Sequence, residues 1–138
     1  MTRTELECYI TETYGAEREL PWKTSPLNAV FRRNDTRKWF ALVMNVPKRK
    51  LGLSDDGAVD ILNVKCDPVI IGSLRLEQGF FPAYHMNKDS WISAALDGSA
   101  GEEQIKFLLE RSYELTAPKR RKSPADPGIS EKTANKTE

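Results

Sequence analysis

The spacing of apolar residues near the amino terminus is that of a short helix. Its less polar side chains recur every three or four positions: Leu6, Tyr9, Ile10 and Thr13. A capping box can begin this helix in either of two registers: Thr2 with Glu5, or Thr4 with Glu7. Because Gly15 follows the last of these positions, we predict that the helix ends there.

Two further helices are predicted later in the chain. Asp67-Pro68 begins the second, because Asp accepts hydrogen bonds from free backbone amides and Pro has no N–H to lose, and Gly79 ends it. The third extends from about Glu102 to Leu115, with acidic residues at its amino end. One side of this helix carries the residues that we expect to be buried: Ile105, Leu108, Leu109, Ser112 and Leu115.

Five segments have the β-branched and aromatic content of strands and are bounded by turn residues. They are residues 29–32, 39–46, 59–65, 81–86 and 91–96. With the helices they give the order α-β-β-β-α-β-β-α. The predicted fold class is therefore α+β, a single antiparallel β-sheet of about five strands with helices packed on one face.

Alternation along the strands assigns side chains to the two faces of this sheet. In the second strand it predicts a core face formed by Phe40, Leu42, Met44 and Val46, opposite Trp39, Ala41, Val43 and Asn45. The third and fifth strands are predicted to add to the core face Leu62, Val64, Cys66, Ile92, Ala94 and Leu96. The other face then mixes tryptophans with polar residues: Trp39, Trp91, Asn63, Lys65 and Ser93. We expect that face to be at least partly open to solvent.

Length and charge set the domain organisation. A chain of 138 residues with 39% hydrophobic residues has room for one modest core, which we assign to residues 1–116. Residues 117–138 contain three prolines and a single large aliphatic residue, so they are predicted to be a disordered basic tail. Six basic and three acidic residues give the tail a net charge of +3, whereas 15 basic and 17 acidic residues give the domain −2.

The sequence does not support a membrane, secretory or metal-binding protein. Its apolar runs are far shorter than the roughly 20 residues that cross a bilayer, and the amino terminus lacks a signal peptide's apolar segment, so we expect a cytoplasmic protein. Cys8 and Cys66 are interpreted as two buried reduced thiols. One histidine and no Cys-x-x-Cys provide too few donors for a closed zinc site.

The single imidazole, His85, is the natural starting point for any catalytic hypothesis. A hydrolase needs it beside a nucleophile such as Ser90 or Ser93 and an orienting carboxylate such as Asp89. These residues lie too close together along one hairpin to converge easily, and neither a nucleophile elbow nor a Gly-rich phosphate loop is present. We therefore predict a non-enzymatic protein with no catalytic residues, no cofactor and no resident metal.

Basic residues are concentrated around one strand, in two loops and the strand end beside them. They are Arg32, Arg33, Arg37, Lys38, Lys48, Arg49 and Lys50. Since Asp35 is the one acid between positions 32 and 50, these seven residues give that region a net charge of +6. Such loops can contact the phosphates of a nucleic acid, and Trp39 beside them can stack on an unpaired base. The alternative is that the charges protect an edge strand from aggregation.

A second candidate surface combines polar and aromatic side chains. Its members are Trp39, Asn63, Lys65, His85, Asn87, Lys88 and Trp91. Hydrogen-bond donors, charge and aromatic rings suit recognition of an anion or a base better than bond-breaking chemistry. The alternative is structural: Asn87 and Lys88 form a hairpin turn, His85 caps a strand, and Trp91 packs on its neighbours.

Several separated motifs follow one another along the chain: Pro21-Trp22, Ala29-Val30-Phe31-Arg32, Trp39-Phe40-Ala41-Leu42, residues 59–68, Tyr84-His85-Met86-Asn87-Lys88 with Trp91, Leu96-Asp97-Gly98 and residues 111–115. In order and spacing they resemble the MmcQ/YjbR family over roughly residues 4–116. The resemblance implies a CyaY-like, frataxin-type fold and a bacterial, cytoplasmic protein that binds DNA through a double wing of loops. Asp89 and Ser90 stand where the family often has a basic or aromatic pair, which lowers the positive charge at that turn. Frataxin's iron role is not implied, because fold alone does not imply function.

Two functional hypotheses follow from the sequence. The first is non-enzymatic nucleic-acid binding through the seven basic residues, with salt-sensitive affinity: seven phosphate contacts predict that log affinity falls with log salt at a slope of about −6. The alternative is a binding module that takes a small anion or a protein segment on the open sheet face, through the second candidate surface.

Overall fold

The computed structural model describes residues 1–119, so the predicted tail lies almost wholly outside the described residues. Helix α1 (Arg3–Tyr14) begins with the first of the two capping boxes. Thr2 Oγ1 accepts a hydrogen bond from the Glu5 amide, and the Glu5 carboxylate accepts one from the Thr2 amide at 2.9 Å. Gly15 ends the helix with φ at 65°, a conformation that costs glycine little because it has no Cβ.

The described part of the chain forms one antiparallel sheet of five strands, in the order β1-β2-β3-β5-β4. The strands are β1 (Ala29–Arg32), β2 (Trp39–Pro47), β3 (Ala58–Lys65), β4 (Phe80–Pro82) and β5 (Trp91–Ala95). A 3₁₀ turn (Lys48–Leu51) follows β2, helix α2 (Pro68–Leu74) connects β3 to β4, and helix α3 (Glu102–Leu115) follows β5. The predicted α+β class and the order of helices and strands are confirmed.

Two elements are shorter than predicted. Helix α2 ends at Leu74, and Asp67 does not cap it with its side chain: the carboxylate instead accepts two hydrogen bonds from Arg111, at 2.7 and 3.0 Å. Strand β4 ends at Pro82, which has no N–H to give to the sheet. The backbone then leaves the extended conformation, because His85 has a φ of 60°.

The three helices within residues 1–119 pack on one face of the sheet and form the main core with it. The helices contribute Leu6, Ile10, Ile71, Leu74, Ile105, Leu108 and Leu109. The strands contribute Phe31, Phe40, Ala41, Val43, Leu62, Val64, Ile92 and Ala94. Cys66 is buried beside them, as predicted, but Cys8 is exposed. Cys8 lies two positions from both Leu6 and Ile10, which places it on the outer side of α1.

The predicted faces of β2 are wrong beyond Phe40. Ala41 and Val43 face the helices, while the opposite face takes Leu42, Met44 and Val46. The cause is a β-bulge: Phe31 pairs with Ala41 and Arg32 pairs with Trp39, so Phe40 is an extra residue in β2 and alternation restarts after it. The face assignments of β3, and those of Ile92 and Ala94 in β5, are confirmed.

The helix-free face of the sheet is apolar rather than open. It carries a second cluster of buried side chains: Val30, Leu42, Met44, Val46, Val59, Ile61 and Ala95. Half-buried side chains from the strand ends, the 3₁₀ turn and two loops cover this cluster: Trp22, Trp39, Leu51, Phe81, Tyr84, Met86 and Trp91. The expected exposed face is therefore corrected, because the strands in the middle of the sheet are buried on both sides.

Ser112 connects the helical layer to the sheet by hydrogen bonds. Its hydroxyl accepts from the Lys65 amide at 2.9 Å and donates to the Phe40 carbonyl at 2.6 Å. Direct pairing of β2 with β3 ends one position earlier, at Ala41 and Val64. A side chain of α3 thus replaces the backbone contact that the two strands do not make.

Candidate functional site

A cavity of about 520 Å³ lies on the helix-free face of the sheet. Strand β2 contributes Trp39, Leu42, Met44, Asn45 and Val46 to its lining. The loop before β1 contributes Trp22, Ser25 and Asn28, and the segment after β4 contributes Tyr84, His85 and Met86. This volume lies within the range of small-molecule sites, about 300–1,000 Å³, and the lining is mainly apolar and aromatic, as in such sites.

Two indole rings form one wall of the cavity. Trp22 and Trp39 meet edge to face, with ring centroids 5.8 Å apart and planes at 85°. The guanidinium of Arg32 lies 5.6 Å from the centroid of Trp39. The loop that carries Trp22 is attached to β1 at its start, because Glu19 and Val30 exchange two backbone hydrogen bonds at 3.0 and 2.9 Å.

A buried polar pair supports the opposite wall. Asn63 and Ser93 are both fully buried and are partners in the β3–β5 register. Ser93 Oγ donates to Asn63 Oδ1 and accepts from the Tyr84 amide at 3.0 Å, while Asn63 Nδ2 donates to the Tyr84 carbonyl at 3.0 Å. Both backbone polar groups of Tyr84 are therefore fixed, and Asn63 supports the cavity wall from beneath.

His85 follows Tyr84 with a left-handed backbone, which is uncommon for a residue other than glycine. Its ring lies 4.1 Å from that of Tyr84, measured between centroids. The imidazole lines the cavity, whereas the hydroxyl of Ser93 is directed to Asn63. The structure therefore does not bring His85 and Ser93 together as a catalytic pair.

The other members of the second candidate surface lie outside the cavity lining. Asn87 Oδ1 accepts from the Asp89 amide at 2.8 Å, and Lys88 Nζ donates to the Ala83 carbonyl at 3.0 Å, so both build the turn before β5. Lys65 and Trp91 are paired across β3 and β5. Of the seven residues of that surface, Trp39 and His85 line the cavity.

Arg33 is largely buried at the base of the β1–β2 loop, with 11% of its side chain exposed. It donates to both carboxylate oxygens of Asp35, at 2.9 and 2.8 Å, and to the Tyr113 carbonyl at 2.7 Å. Its guanidinium also lies 3.8 Å from the Tyr113 ring centroid. The Arg33 hydrogen bonds lower the pKa of Asp35 to about 2. Arg33 therefore fastens this loop to α3.

Acidic residues from outside the basic segment pair with most of the other cations. Arg32 and Arg37 share the Glu19 carboxylate, at 3.2 and 3.4 Å. In the loop after β2, Lys48 pairs with Asp55 at 3.1 Å and Arg49 with Asp56 at 3.6 Å. These three acids reduce the net charge of +6 around the two loops to +3.

Four of the seven basic side chains remain exposed: Arg37, Lys38, Arg49 and Lys50. They form two pairs, one on the loop before β2 and one in the 3₁₀ turn after it. Because β2 has nine residues, the two pairs are separated by roughly 25 Å. The structure thus brings the basic residues together as two patches at opposite ends of β2.

Two classes of site receive no support from residues 1–119. In that range no helix is long and apolar enough to cross a membrane. The same residues contain no group of three or more His, Cys, Asp or Glu side chains placed to hold a metal ion.

Comparison with known proteins identifies the family. The chain is 40% identical to YyaQ of Bacillus subtilis over 116 residues, which cover 84% of this chain and 98% of YyaQ. It is 29% identical to YjbR of Escherichia coli over 117 residues, covering 83% and 86% of the two chains. A crystal structure of a Pseudomonas syringae protein, 41% identical, superposes with a TM-score of 0.83 over 85% of this chain and all of that one. The family model named YjbR matches residues 11–115, and the chain therefore belongs to the YjbR family.

Proposed function

We propose that this protein is a non-enzymatic ligand-binding protein whose site is the cavity on the helix-free face of the sheet. The observation that carries this proposal is the lining of the cavity, in which Trp22, Trp39, Tyr84 and His85 surround about 520 Å³. Mainly apolar and aromatic cavities of this size with a few polar groups are the usual form of small-molecule sites.

The backbone around the cavity supports the proposal. Strand β2 lies between β1 and β3, and the Tyr84 peptide groups are hydrogen bonded to buried side chains, so the walls are held before a ligand arrives. Among residues 1–119, two residues other than glycine have positive φ, Arg37 and His85. His85 lines the cavity and Arg37 lies two positions before Trp39. Such conformations cost about 1–3 kcal/mol and cluster at binding sites.

The polar groups of the cavity suit recognition rather than catalysis. Asn28 Oδ1 accepts a hydrogen bond from the backbone amide of Asn45 at 3.4 Å. The side-chain Nδ2 of Asn45 donates to the Asp60 carboxylate at 3.1 Å. Asn28 therefore keeps its Nδ2 as a donor for a ligand, whereas the Asn45 side chain is directed to the helix side of the sheet, where Asp60 also pairs with Arg3 of α1. The hydroxyl of Ser93, which His85 would have to activate in a hydrolase, is committed to Asn63.

A ligand screen with cavity variants tests this function. A metabolite panel is added to the protein, and both melting temperature and tryptophan fluorescence are recorded. A ligand at 100 times its Kd stabilises the folded state by about 2.7 kcal/mol. We expect Trp22→Leu to abolish this stabilisation and Trp91→Phe, outside the lining, to preserve it. A ligand that binds Trp22→Leu and Trp39→Leu as tightly as the parent protein would place the site elsewhere, and a panel without any binder would contradict the proposal.

Nucleic-acid binding through the basic loops is the second candidate function. The four exposed cations at the two ends of β2 favour it, whereas α1 and α3 on the other side of the sheet are net acidic. Four phosphate contacts predict a slope of log affinity against log salt of about −4 rather than −6. Titration of duplex and single-stranded DNA at several salt concentrations tests this. Undetectable binding at low salt, or binding that survives combined substitution of Arg37, Lys38, Arg49 and Lys50 by Gln, would exclude it.

A further inference from the structure

The aromatic wall of the cavity has the geometry for a flat ring. Because Trp22 and Trp39 stand nearly perpendicular, at 85°, a planar ligand that stacks on one indole is perpendicular to the other and can contact it in an edge-to-face arrangement. Tyr84 and His85 provide two further rings in the lining. Stacking of a nucleic-acid base on a protein aromatic side chain is worth about 1–3 kcal/mol.

Polar side chains of the lining add hydrogen-bonding groups. Asn28 uses Oδ1 on the backbone amide of Asn45 and keeps Nδ2 as a donor. Ser25 and His85 also line the cavity. These groups match the edge of a heterocycle that contains ring nitrogens and exocyclic groups better than they match a plain hydrocarbon ring.

The charge beside Trp39 favours an anionic ligand. Among the described residues that line the cavity none is acidic. Arg32 lies against the Trp39 ring. Arg32 and Arg37 both pair with one carboxylate, that of Glu19, and 59% of the Arg37 side chain is exposed. One positive charge is therefore left over at this end of the cavity. It disfavours a quaternary ammonium, the other common ligand of aromatic cages.

We infer that the cavity takes a planar heteroaromatic ring that carries a phosphate group, with the ring against Trp22 and Trp39 and the phosphate toward Arg32 and Arg37. This inference rests on the proposed ligand-binding function and names the chemical class of the ligand. The same chemistry is offered by a free mononucleotide and by an unpaired nucleotide within a single strand.

Calorimetric titration tests the inference with AMP and UMP, the corresponding nucleosides, and a short single-stranded oligonucleotide. We expect each nucleotide to bind about tenfold more tightly than its nucleoside, equivalent to about 1.4 kcal/mol. Arg37→Gln is expected to remove that difference. Arg18→Gln is the matched control, because Arg18 is an arginine with 46% of its side chain exposed and an ion pair to Glu7 of α1, and it should leave the difference unchanged. Equal binding of nucleotide and nucleoside would overturn the phosphate assignment.

The two sources of the ligand give different results. If the natural ligand is an unpaired nucleotide within a strand, the oligonucleotide should bind more tightly than AMP or UMP, and AMP and UMP should compete with it. If the natural ligand is a free nucleotide, the oligonucleotide should bind no more tightly than AMP or UMP. Trp22→Leu and His85→Gln, both outside the main core, test the ring contacts, with circular dichroism to verify folding. Absence of nucleotide binding while another metabolite binds would overturn this inference and leave the proposed function standing. Absence of any cavity ligand would overturn both.

Discussion

Asn63 of β3 and Ser93 of β5 are neighbours on adjacent strands, and their side chains form hydrogen bonds with both backbone polar groups of Tyr84. The pair lies at the boundary between the interior and the cavity. Both side chains are fully buried, and the residue that they position contributes a ring to the cavity lining. Folding stability and the shape of the site therefore depend on the same two side chains.

Removal of either member of this pair should lower stability and weaken ligand binding together. Asn63→Leu leaves the Tyr84 carbonyl without a donor and the Ser93 hydroxyl without an acceptor for its proton, and we expect a loss of about 2–4 kcal/mol in the free energy of unfolding, since each unsatisfied buried group costs about 1–3 kcal/mol. Ser93→Ala should cost about 1–3 kcal/mol. Urea unfolding measures both values. Ser73→Ala, exposed in α2, should change stability by less than about 0.5 kcal/mol.

The double variant of Asn63 and Ser93 gives a sharper test. Because the two residues share one network, their effects should not add, and the coupling free energy should lie at about 0.5–3 kcal/mol. Strict additivity would show that the two side chains act independently.

Substitution of Arg33 and of Arg49 by Ala should distinguish basic residues that stabilise the fold from basic residues that bind phosphate. Arg33 has hydrogen bonds to Asp35 and Tyr113, so Arg33→Ala should reduce the free energy of unfolding by about 1–3 kcal/mol. It should leave the salt dependence of any nucleic-acid binding unchanged. Arg49→Ala should leave stability unchanged and reduce the magnitude of the salt slope by about 0.9. Unfolding curves and salt titrations of the same two variants provide the data, and the opposite pattern would assign the phosphate contact to Arg33.

Gly79 and Gly72 form a matched pair for backbone effects. Gly79 has φ at 92°, and a Cβ there would lie 2.5 Å from the Ala100 amide nitrogen. Gly79→Ala should therefore destabilise the protein by more than about 2 kcal/mol. A Cβ at Gly72, within α2, meets nothing within 4 Å, so Gly72→Ala should stabilise the protein by about 0.5–1 kcal/mol. Thermal melts of the two variants should shift in opposite directions, and a tolerated Gly79→Ala would contradict the close approach to Ala100.

The Asp67–Arg111 pair predicts a loss of stability in acid. The Arg111 hydrogen bonds, and secondarily its charge, hold the pKa of Asp67 below its usual value. A carboxyl group whose pKa is lower in the folded state stabilises that state above its unfolded pKa of about 3.9, and this contribution is lost as the pH falls through the folded pKa. The stability difference between the parent protein and Asp67→Asn should therefore be largest near neutral pH and decrease below about pH 4. Urea unfolding of both proteins across this pH range measures the difference. A difference that does not change with pH would show that the charge of Asp67 does not contribute to stability.

The ends of α1 and α3 and the order of helices and strands along the chain could be predicted from the sequence because local chemistry determines them, whereas α2 ends at Leu74 instead of the predicted Gly79. The Thr2–Glu5 capping box and Gly15 begin and end α1 at the predicted residues. Helix α3 likewise has its predicted bounds and buries four of the five predicted side chains, while Leu115 is half-buried. The family could also be predicted, since its motifs are spread over most of the chain.

The faces of β2 could not be predicted, because its alternation carries little information. Residues 39–44 are all apolar, and an uninterrupted apolar run is typical of a strand that is buried on both faces. That signal was present and points to a second apolar layer. The bulge at Phe40 depends on pairing with β1, which no local pattern in β2 reveals.

The cavity itself depends on long-range contacts. Trp22 lies in a loop bounded by prolines and reaches the sheet only through tertiary packing against Trp39, so its position in the cavity lining was not predicted. Tyr84 and Met86 flank His85, but their places in the lining follow from the left-handed backbone at His85 and from the Asn63–Ser93 pair. Charge counts along the chain likewise missed Glu19, Asp55 and Asp56, which pair with the basic residues from outside the counted segment.

The Ser112 hydroxyl makes the last helix part of the hydrogen-bond ladder of the sheet. If α3 detaches, the Lys65 amide and the Phe40 carbonyl are left without partners inside the protein, at a cost that opposes separation of helix from sheet. Helix α3 and the central strands should therefore open as one cooperative unit. The rate at which the Lys65 amide exchanges its hydrogen with solvent becomes a measure of how firmly α3 is docked.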